Sequence, residues 1–96
     1  MDTPHDRTAR HIAKKEGTEY NRGKGPDIKS RFGKTEVETE KTVADAMRQL
    51  RGYKGPVYIA VTGKTILEKA LERTEGTTVG VKDPQGNIIK PSTRKR

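Results

Sequence analysis

The sequence contains no cysteine and no tryptophan, and it has few large apolar residues. Without cysteine, a disulfide and a thiolate metal site are both excluded. Leu, Ile, Val and Phe together number 16 of 96 residues, so any hydrophobic core must be thin. No stretch approaches the apolar length of a membrane-spanning helix, and the first residues lack the apolar centre of a signal peptide. We therefore expect one cytoplasmic domain over residues 1–96 with no membrane partner.

Local sequence patterns predict a helix and then a hairpin in the first half of the chain. "TPHDRTARHIAKKEG" places Thr3 as a helix cap and Pro4 at the first helical position. Together with the loop that follows, this helix forms an N-terminal segment over residues 1–22. From Pro26, a strand, a turn near Gly33 and a second strand predict a β-hairpin.

The second half of the chain alternates helices and strands. Thr42 caps a helix in "TVADAMRQLRGY", and "GPVYIAVTG" is typical of a strand buried on both faces at the centre of a sheet. Thr65 and Glu68 form a capping-box pattern for a third helix, and "TTVGV" and "NIIKP" predict two further strands. Residues 91–96 are expected to form a flexible basic tail. The order α-β-β-α-β-α-β-β predicts an α/β fold, an α+β sandwich built on a mixed sheet flanked by helices.

Several motifs of enzyme chemistry are absent or incomplete. "TGKT" at 62–65 lacks the glycine that a phosphate-binding P-loop needs five residues before Gly63, because position 58 is Tyr. His5 and His11 lie on different faces of the predicted helix, so we expect both to face solvent rather than to share a metal ion. No arrangement of residues supports covalent nucleophilic catalysis.

The acidic residues of "GPDIKSRFGKTEVETE" alternate along a predicted strand. Glu36, Glu38 and Glu40 would share one face, with Val37 and Thr39 on the other. Like charges about 7 Å apart repel by roughly 2 kcal/mol at an effective dielectric near 20, so cations should lie nearby. These cations are either basic side chains or a metal ion.

Cross-strand ion pairs are one explanation of this acidic face. If residues 33–34 form the two-residue loop of the hairpin, Arg31 lies opposite Glu36. In the same register Lys29 lies opposite Glu38. An exposed hairpin face would then be balanced without a metal ion.

A metal site is the other explanation, and it comes from a resemblance. "PDI" at 26–28, "EVE" on the next strand and "QLRGY" on the following helix together resemble the PD-(D/E)XK nuclease superfamily, which has the restriction-endonuclease-like fold. The last piece is similar to the Gln-x-x-x-Tyr element of the exonuclease-like branches. The resemblance implies a catalytic site formed by Asp27, Glu36, Glu38, Gln49 and Tyr53.

The resemblance also implies a role for each residue of this set. Asp27 and Glu36 would be the ligands of Mg²⁺ or Mn²⁺, hard cations that prefer oxygen ligands. Gln49 and Tyr53, four residues apart, would share a helix face and line the site. The metal ion would stabilise charge on a phosphate and lower the pKa of a bound water.

The sequence departs from the family motif at Glu38, which stands where the motif has lysine. Some restriction enzymes of this superfamily carry Glu at that position, so activity is compatible with the change. A lysine elsewhere could take over the role, either Lys29 on the first strand or Lys34 on the second. The third option is a site that has lost catalysis and kept binding.

The charge of the chain favours a polyanionic partner. It carries 21 Lys and Arg against 13 Asp and Glu, a formal net charge of +8. Nucleic acid is the partner that this charge favours most, and an acidic membrane or an acidic protein is favoured less. With few aromatic residues, recognition should be of backbone or shape, without base stacking as the main mode. The expected nucleic-acid contacts are Arg22, Lys24, Lys29, Arg48, Arg51 and Lys54, with Arg94, Lys95 and Arg96 in the tail.

Three functions are compatible with these features. The first is a metal-dependent nuclease that hydrolyses phosphodiester bonds of DNA with Mg²⁺ or Mn²⁺. The second is a catalytically inactive nucleic-acid-binding module on the same fold, and the third is a basic protein-interaction domain. A homodimer would enlarge the thin core, and small nucleases of this fold often work as dimers.

Overall fold

The computed structural model describes residues 3–23, 25–39 and 42–94, and these contain three helices and five strands in the predicted order. The elements are α1 (Pro4–Lys15), β1 (Ile28–Ser30), β2 (Gly33–Glu38), α2 (Val43–Leu50), β3 (Val57–Val61), α3 (Lys64–Thr74), β4 (Gly80–Lys82) and β5 (Ile88–Lys90). No helix in this described part of the chain is long and apolar enough to cross a membrane. The predicted residues Lys24, Glu40, Lys95 and Arg96 lie outside the described residues.

The five strands form one mixed sheet in the order β1-β2-β3-β4-β5. The outer strands β1 and β5 are antiparallel to their neighbours, whereas β2, β3 and β4 run parallel to one another. Parallel neighbours need a crossover connection, and α2 and α3 provide the two crossovers. The prediction of an α+β domain with a mixed sheet is therefore confirmed.

The hydrophobic core has two parts, one on each face of the sheet. The cluster under α1 consists of Ala9, Ile12, Ala13, Ile28, Val37 and Ala60. The cluster under α2 and α3 consists of Ala46, Leu50, Val57, Ile59, Val61, Ala70, Val79 and Val81. Every residue of β3 is buried, as expected of a central strand whose two faces are both covered, so that prediction is also confirmed.

The helix caps agree with the sequence at α1 and differ from it at α3. The Thr3 side chain accepts a hydrogen bond from the Asp6 N–H, and the Asp6 side chain accepts one from the Thr3 N–H, which completes a capping box. The predicted capping box at Thr65 is wrong, because α3 begins earlier, with Gly63 as its N-cap. Thr65 thus lies inside the first turn, where its side chain cannot cap the helix.

The turn between β1 and β2 lies two residues earlier than the loop that the ion-pair explanation requires. Ser30 pairs with Gly33, so Arg31 and Phe32 form the two-residue loop. Gly33 has φ +127°, and a Cβ at this position would collide with the carbonyl oxygen of Pro56. This close approach requires glycine in the strand rather than in the turn. The turn lies near Gly33 as predicted, but the loop at 33–34 that the ion-pair explanation requires does not form.

A buried lysine connects α1 to the sheet. Lys82 is fully buried, and its Nζ donates hydrogen bonds to Glu16 Oε2 at 2.6 Å and Thr35 Oγ1 at 2.8 Å. The Ser30 hydroxyl donates to the other oxygen of Glu16 at 2.6 Å, and Lys82 Nζ lies 4.5 Å from the ring centroid of Tyr58. Burial lowers the pKa of Lys82, and the hydrogen bond to Glu16 opposes that shift. Nothing in the sequence pattern predicted this cluster.

Residues 91–94, which the sequence assigns to a flexible tail, are hydrogen-bonded to the body of the domain. The Ser92 hydroxyl donates to the carbonyl of Thr78 at 2.9 Å. Arg94 Nη1 donates to the carbonyls of Leu50 and Tyr53 at 3.1 and 2.6 Å. Arg94 therefore holds the end of α2 and the following loop, a role in the fold that the sequence did not suggest.

Candidate functional site

Two carboxylates meet where β1 begins. The hairpin register places Ile28 opposite Thr35, and one residue further out the N–H of Asp27 donates to Glu36 Oε1 at 3.3 Å. The backbone N–H of Val37 donates to Asp27 Oδ2 at 2.9 Å. Asp27 Oδ1 and Glu36 Oε2 take no part in these hydrogen bonds. One oxygen of each carboxylate is thus held by the backbone, and the hydrogen bonds found between described residues do not involve the other.

Glu36 and Glu38 occupy the same face of β2 and are each only 6% exposed. Burial raises the pKa of Glu36 to about 7, with the negative charge of Asp27 adding to the shift. Burial likewise raises the pKa of Glu38 to about 7, with Glu36 and Asp27 contributing and a hydrogen bond from Thr42 opposing. Both shifts come first from burial, so each glutamate binds a proton more readily than an exposed one, and carboxylates with such shifted pKa values are enriched at functional sites.

The ion-pair explanation of the acidic face does not agree with the observed register. Lys29 lies opposite Lys34 rather than opposite Glu38. The guanidinium of Arg31 lies over the ring of its neighbour Phe32, 4.9 Å from the ring centroid. Salt bridges are found at Asp6, Glu16 and Asp27.

Gln49 and Tyr53 do not share a helix face, because α2 ends at Leu50. Gln49 is an exposed residue of the last turn of α2. Tyr53 lies in the following loop, and its hydroxyl donates to Glu36 Oε1 at 3.4 Å. Burial and the charge of Glu36 raise the pKa of Tyr53. The structure therefore brings Tyr53, but not Gln49, into contact with the carboxylates.

Asp27 and Glu36 are the candidate ligands of a divalent cation. Within the described residues, no group of three or more His, Cys, Asp or Glu side chains is arranged to hold a metal ion. Mg²⁺ is commonly bound by one or two carboxylates, with water completing its coordination. Asp27 and Glu36 provide the two carboxylates of such a site. The oxygens Asp27 Oδ1 and Glu36 Oε2 take no part in the hydrogen bonds described above.

His5 is the site residue that the sequence prediction missed. It is half-buried rather than solvent-facing, and its Nε2 lies 3.2 Å from Asp27 Oδ2. Its Nδ1 lies 3.2 Å from the Tyr20 hydroxyl, which donates to Asp6 Oδ1 at 2.9 Å. The hydrogen bond from Tyr20 lowers the pKa of Asp6 to about 2. Burial raises the pKa of Tyr20 to about 12, with Asp6 adding to the shift.

A signal for His5 was present in the spacing of α1. His5, Ala9 and Ile12 recur at positions i, i+4 and i+7, which places them on one face of a helix. Ala9 and Ile12 are fully buried against the sheet. His5 therefore extends the buried stripe towards the first turn of α1, beside β1. His11, by contrast, is exposed as predicted.

A basic depression lies beside the carboxylates, at the end of the hairpin. We call this depression the basic cleft. Its volume is about 300 Å³, and its basic lining residues are Lys29, Arg31, Lys34 and Lys54. Lys34 Nζ donates to the carbonyl of Lys54 at 3.2 Å and lies 5.6 Å from the ring centroid of Tyr53. Tyr53 therefore contacts both the basic cleft and Glu36.

The other basic residues that were predicted to contact nucleic acid are distributed around the site. Arg22 is exposed, lies 3.5 Å from Asp6 Oδ2 and is 5.9 Å from the ring centroid of Tyr20. Arg48 and Arg51 are exposed at the end of α2. Of the predicted nucleic-acid contacts, Lys29 and Lys54 line the basic cleft. Arg31 and Lys34, which were not among those predicted contacts, line it too.

The candidate site consists of the carboxylates Asp27, Glu36 and Glu38, the partners His5 and Tyr53, and the adjoining basic cleft. Comparisons of the chain with protein-family models, with curated proteins and with solved structures each found no match.

Proposed function

We propose that this protein binds nucleic acid and hydrolyses its phosphodiester bonds with a divalent cation, Mg²⁺ or Mn²⁺, held by Asp27 and Glu36. DNA is the proposed substrate, and the proposed architecture is restriction-endonuclease-like. The order of elements, with the acids on a hairpin that is followed by a helix and a buried parallel strand, supports this proposal.

The observation that carries the proposal is the pairing of Asp27 with Glu36. The Val37 N–H fixes one oxygen of Asp27, and the Asp27 N–H fixes one oxygen of Glu36. Such second partners orient a ligating carboxylate before the cation arrives. A bound cation would also remove the electrostatic penalty that raises the pKa of Glu36 to about 7.

The remaining side chains divide the other tasks of hydrolysis. When bound, the cation would stabilise charge on the phosphate and acidify a water molecule. The ammonium groups of Lys34 and Lys54 would hold the phosphates that flank the scissile bond. Glu38, on the same face of β2 as Glu36, would accept the proton of the attacking water. Glu38 would then perform a role that the family motif gives to lysine.

A nucleic-acid-binding module without catalysis is the second candidate. Two observations favour it: Glu38 reverses the charge of the motif lysine, and no group of three metal-ligating side chains is found in the described residues. In this second candidate, the basic cleft binds the sugar-phosphate backbone of the nucleic acid, and the carboxylates lie at the edge of the binding surface without a catalytic role.

The test combines metal binding with cleavage. Isotope-labelled protein is titrated with Mn²⁺, and the broadening of amide signals is followed along β1 and β2. We expect broadening centred on Asp27 and Glu36 and metal-dependent cleavage of DNA, both lost in Asp27→Asn and Glu36→Gln. Glu72→Gln is the matched control, because Glu72 is an exposed carboxylate of α3 away from the site.

Each result separates the candidates. Site-centred broadening with cleavage supports the nuclease. Salt-sensitive DNA binding with neither broadening nor cleavage overturns it in favour of the binding module. Equal loss of cleavage in Glu72→Gln would show that the assay reports general loss of acidic charge rather than this site.

A further inference from the structure

The turn of the β1–β2 hairpin exposes the single phenylalanine of the chain. Phe32 is 39% exposed and occupies the second position of the two-residue loop. Short turns usually carry Gly, Asn, Asp, Pro or Ser, so a large apolar ring has no local reason to be there. The core does not use this ring, because Phe32 belongs to neither hydrophobic cluster.

The Phe32 ring forms one wall of a pocket that the sequence did not suggest. Ile88 of β5, 46% exposed, lines the same pocket, and its volume is about 270 Å³. We call it the Phe32 pocket. Lys15 lines it too, and Lys15 Nζ is held by Gln85 O at 3.3 Å and Asn87 Oδ1 at 3.1 Å. Pockets for drug-sized ligands begin at about 300 Å³, so this one suits a single flat ring system.

The pocket adjoins the basic cleft through one residue. Arg31 lines the basic cleft, and its guanidinium lies 4.9 Å from the ring centroid of Phe32. A polyanion whose charges lie along Lys29, Lys34 and Lys54 would therefore pass beside the ring. Aromatic rings next to a basic groove are the usual means by which proteins hold unpaired bases.

We propose that the Phe32 pocket receives a base of an unpaired nucleic-acid strand whose phosphates lie in the basic cleft. The inference rests on the nucleic-acid binding proposed above and adds the form of substrate. A base inside a duplex already has both faces stacked, so the preferred substrate has single-stranded or unpaired nucleotides. Backbone contacts remain the main source of affinity, and stacking on Phe32 supplies the preference for unpaired strands.

A second copy of the chain is a poorer occupant of this pocket. Each chain carries a formal charge of +8. Lys15 and Glu16 line the pocket, the Glu16 carboxylate is paired with Lys82, and Arg31 lies beside the Phe32 ring. Self-association through this face would bring like charges together, which opposes binding. A polynucleotide is instead complementary both to the charge and to the apolar walls.

The absence of tryptophan from the chain allows a site-specific reporter. The variant Phe32→Trp is titrated with oligothymidylate and with an oligonucleotide of equal length that carries abasic sites in place of every base. We expect oligothymidylate to quench the emission of the introduced indole and the abasic strand to quench it little. The matched control is Ile89→Trp. Ile89 is 45% exposed, like Ile88, but points to the opposite face of β5 and does not line the pocket.

Affinity provides an independent readout. By fluorescence anisotropy, Phe32→Leu should bind oligothymidylate roughly 10-fold more weakly than the wild type, whereas Phe32→Tyr should retain the affinity. Binding to the abasic strand should change little in either variant, because only backbone contacts remain.

The outcomes distinguish this inference from the proposed function. Equal quenching of Phe32→Trp by the abasic strand, equal quenching in Ile89→Trp, or an emission of Phe32→Trp that changes with protein concentration alone would each overturn stacking in the pocket. Nucleic-acid binding would still stand if salt-sensitive anisotropy persisted. If the wild type binds no oligonucleotide at low salt, both proposals fail.

Discussion

The N–H of Asp27 donates to Glu36 Oε1 across the start of the β1–β2 pair, and the distance is 3.3 Å. This contact depends on the two-residue loop of Arg31 and Phe32, because a loop at 33–34 would pair Arg31 with Glu36 instead. The register of a short hairpin therefore determines whether β2 presents a balanced surface or an acidic site.

Glu36 should make the protein less stable as the pH rises from about 4.5 to about 7. Its pKa is 4.5 ordinarily and about 7 in the fold, so the folded state retains a proton that the unfolded state has lost. The stability gained from that proton is complete below pH 4.5 and disappears as the pH passes 7. Glu36→Gln should remove the contribution of Glu36 to this decline and gain on the order of 2 kcal/mol over the wild type at pH 8, whereas the contribution of Glu38, whose pKa is also about 7, should remain.

Urea denaturation at several pH values measures this difference. Gln at position 36 can still accept hydrogen bonds from Asp27 N and the Tyr53 hydroxyl, so the change is confined to charge. Glu72→Gln should follow the wild-type curve, because its carboxylate is exposed. A Glu36→Gln difference that stays constant between pH 4 and pH 8 would contradict the raised pKa.

The buried pair of Glu16 and Lys82 should show strong energetic coupling. Either Glu16→Leu or Lys82→Met leaves one charge buried without its partner, which typically costs about 3–5 kcal/mol. The double variant removes both charges and should be much more stable than the sum of the two losses implies. Chemical denaturation of the four proteins in this cycle gives the coupling energy. Additive losses would mean that the 2.6 Å contact contributes nothing as a pair.

Parts of the structure with local sequence signals were predictable. The Thr3 cap of α1 and the apolar run of β3 each depend on residues close in the chain, and both predictions are confirmed. The position of the hairpin turn was not predictable, since it depends on contact between Gly33 and the distant Pro56. The Glu16–Lys82 pair joins residues 66 positions apart, and no sequence pattern reports such a contact.

In the candidate site, too, the features with a local sequence signal were predictable and those that depend on distant contacts were not. The alternation of Glu36 and Glu38 along β2 was evident from the sequence, because a strand has a period of two. The partnership of Asp27 with His5 was missed, although the helical spacing of α1 contained a signal for it. The pKa of about 7 at each glutamate comes from burial under tertiary packing, which the sequence does not specify locally.

Gly33→Ala should disturb both the fold and the site. The added Cβ would collide with the Pro56 carbonyl oxygen, and the φ of +127° is strained for any residue with a side chain. We expect a loss of stability above about 2 kcal/mol and a shift of the amide signals of Asp27 and Val37, whose hydrogen bond depends on the register.

Gly52→Ala is the matched control for Gly33→Ala. A Cβ at Gly52 would lie 3.7 Å from the Gln49 carbonyl oxygen, an ordinary contact distance. Its φ does not lie in the region that favours glycine, so its stability should change by less than about 1 kcal/mol. Equal effects of the two substitutions would show that the close approach to Pro56 does not set the register of the hairpin.

The basic cleft should determine how strongly binding depends on salt. Lys54 and Lys29 both line the cleft, and each phosphate contact that is lost lowers the slope of log K against log salt by about 0.7 for a single strand. Lys54→Met and Lys29→Met should therefore weaken binding and flatten the slope by about that amount. Lys64→Met serves as the control, because Lys64 is exposed at the start of α3 and does not line the cleft. Anisotropy titrations over a range of salt concentrations give the slopes, and an equally flattened slope in Lys64→Met would mean that binding follows total charge rather than this surface.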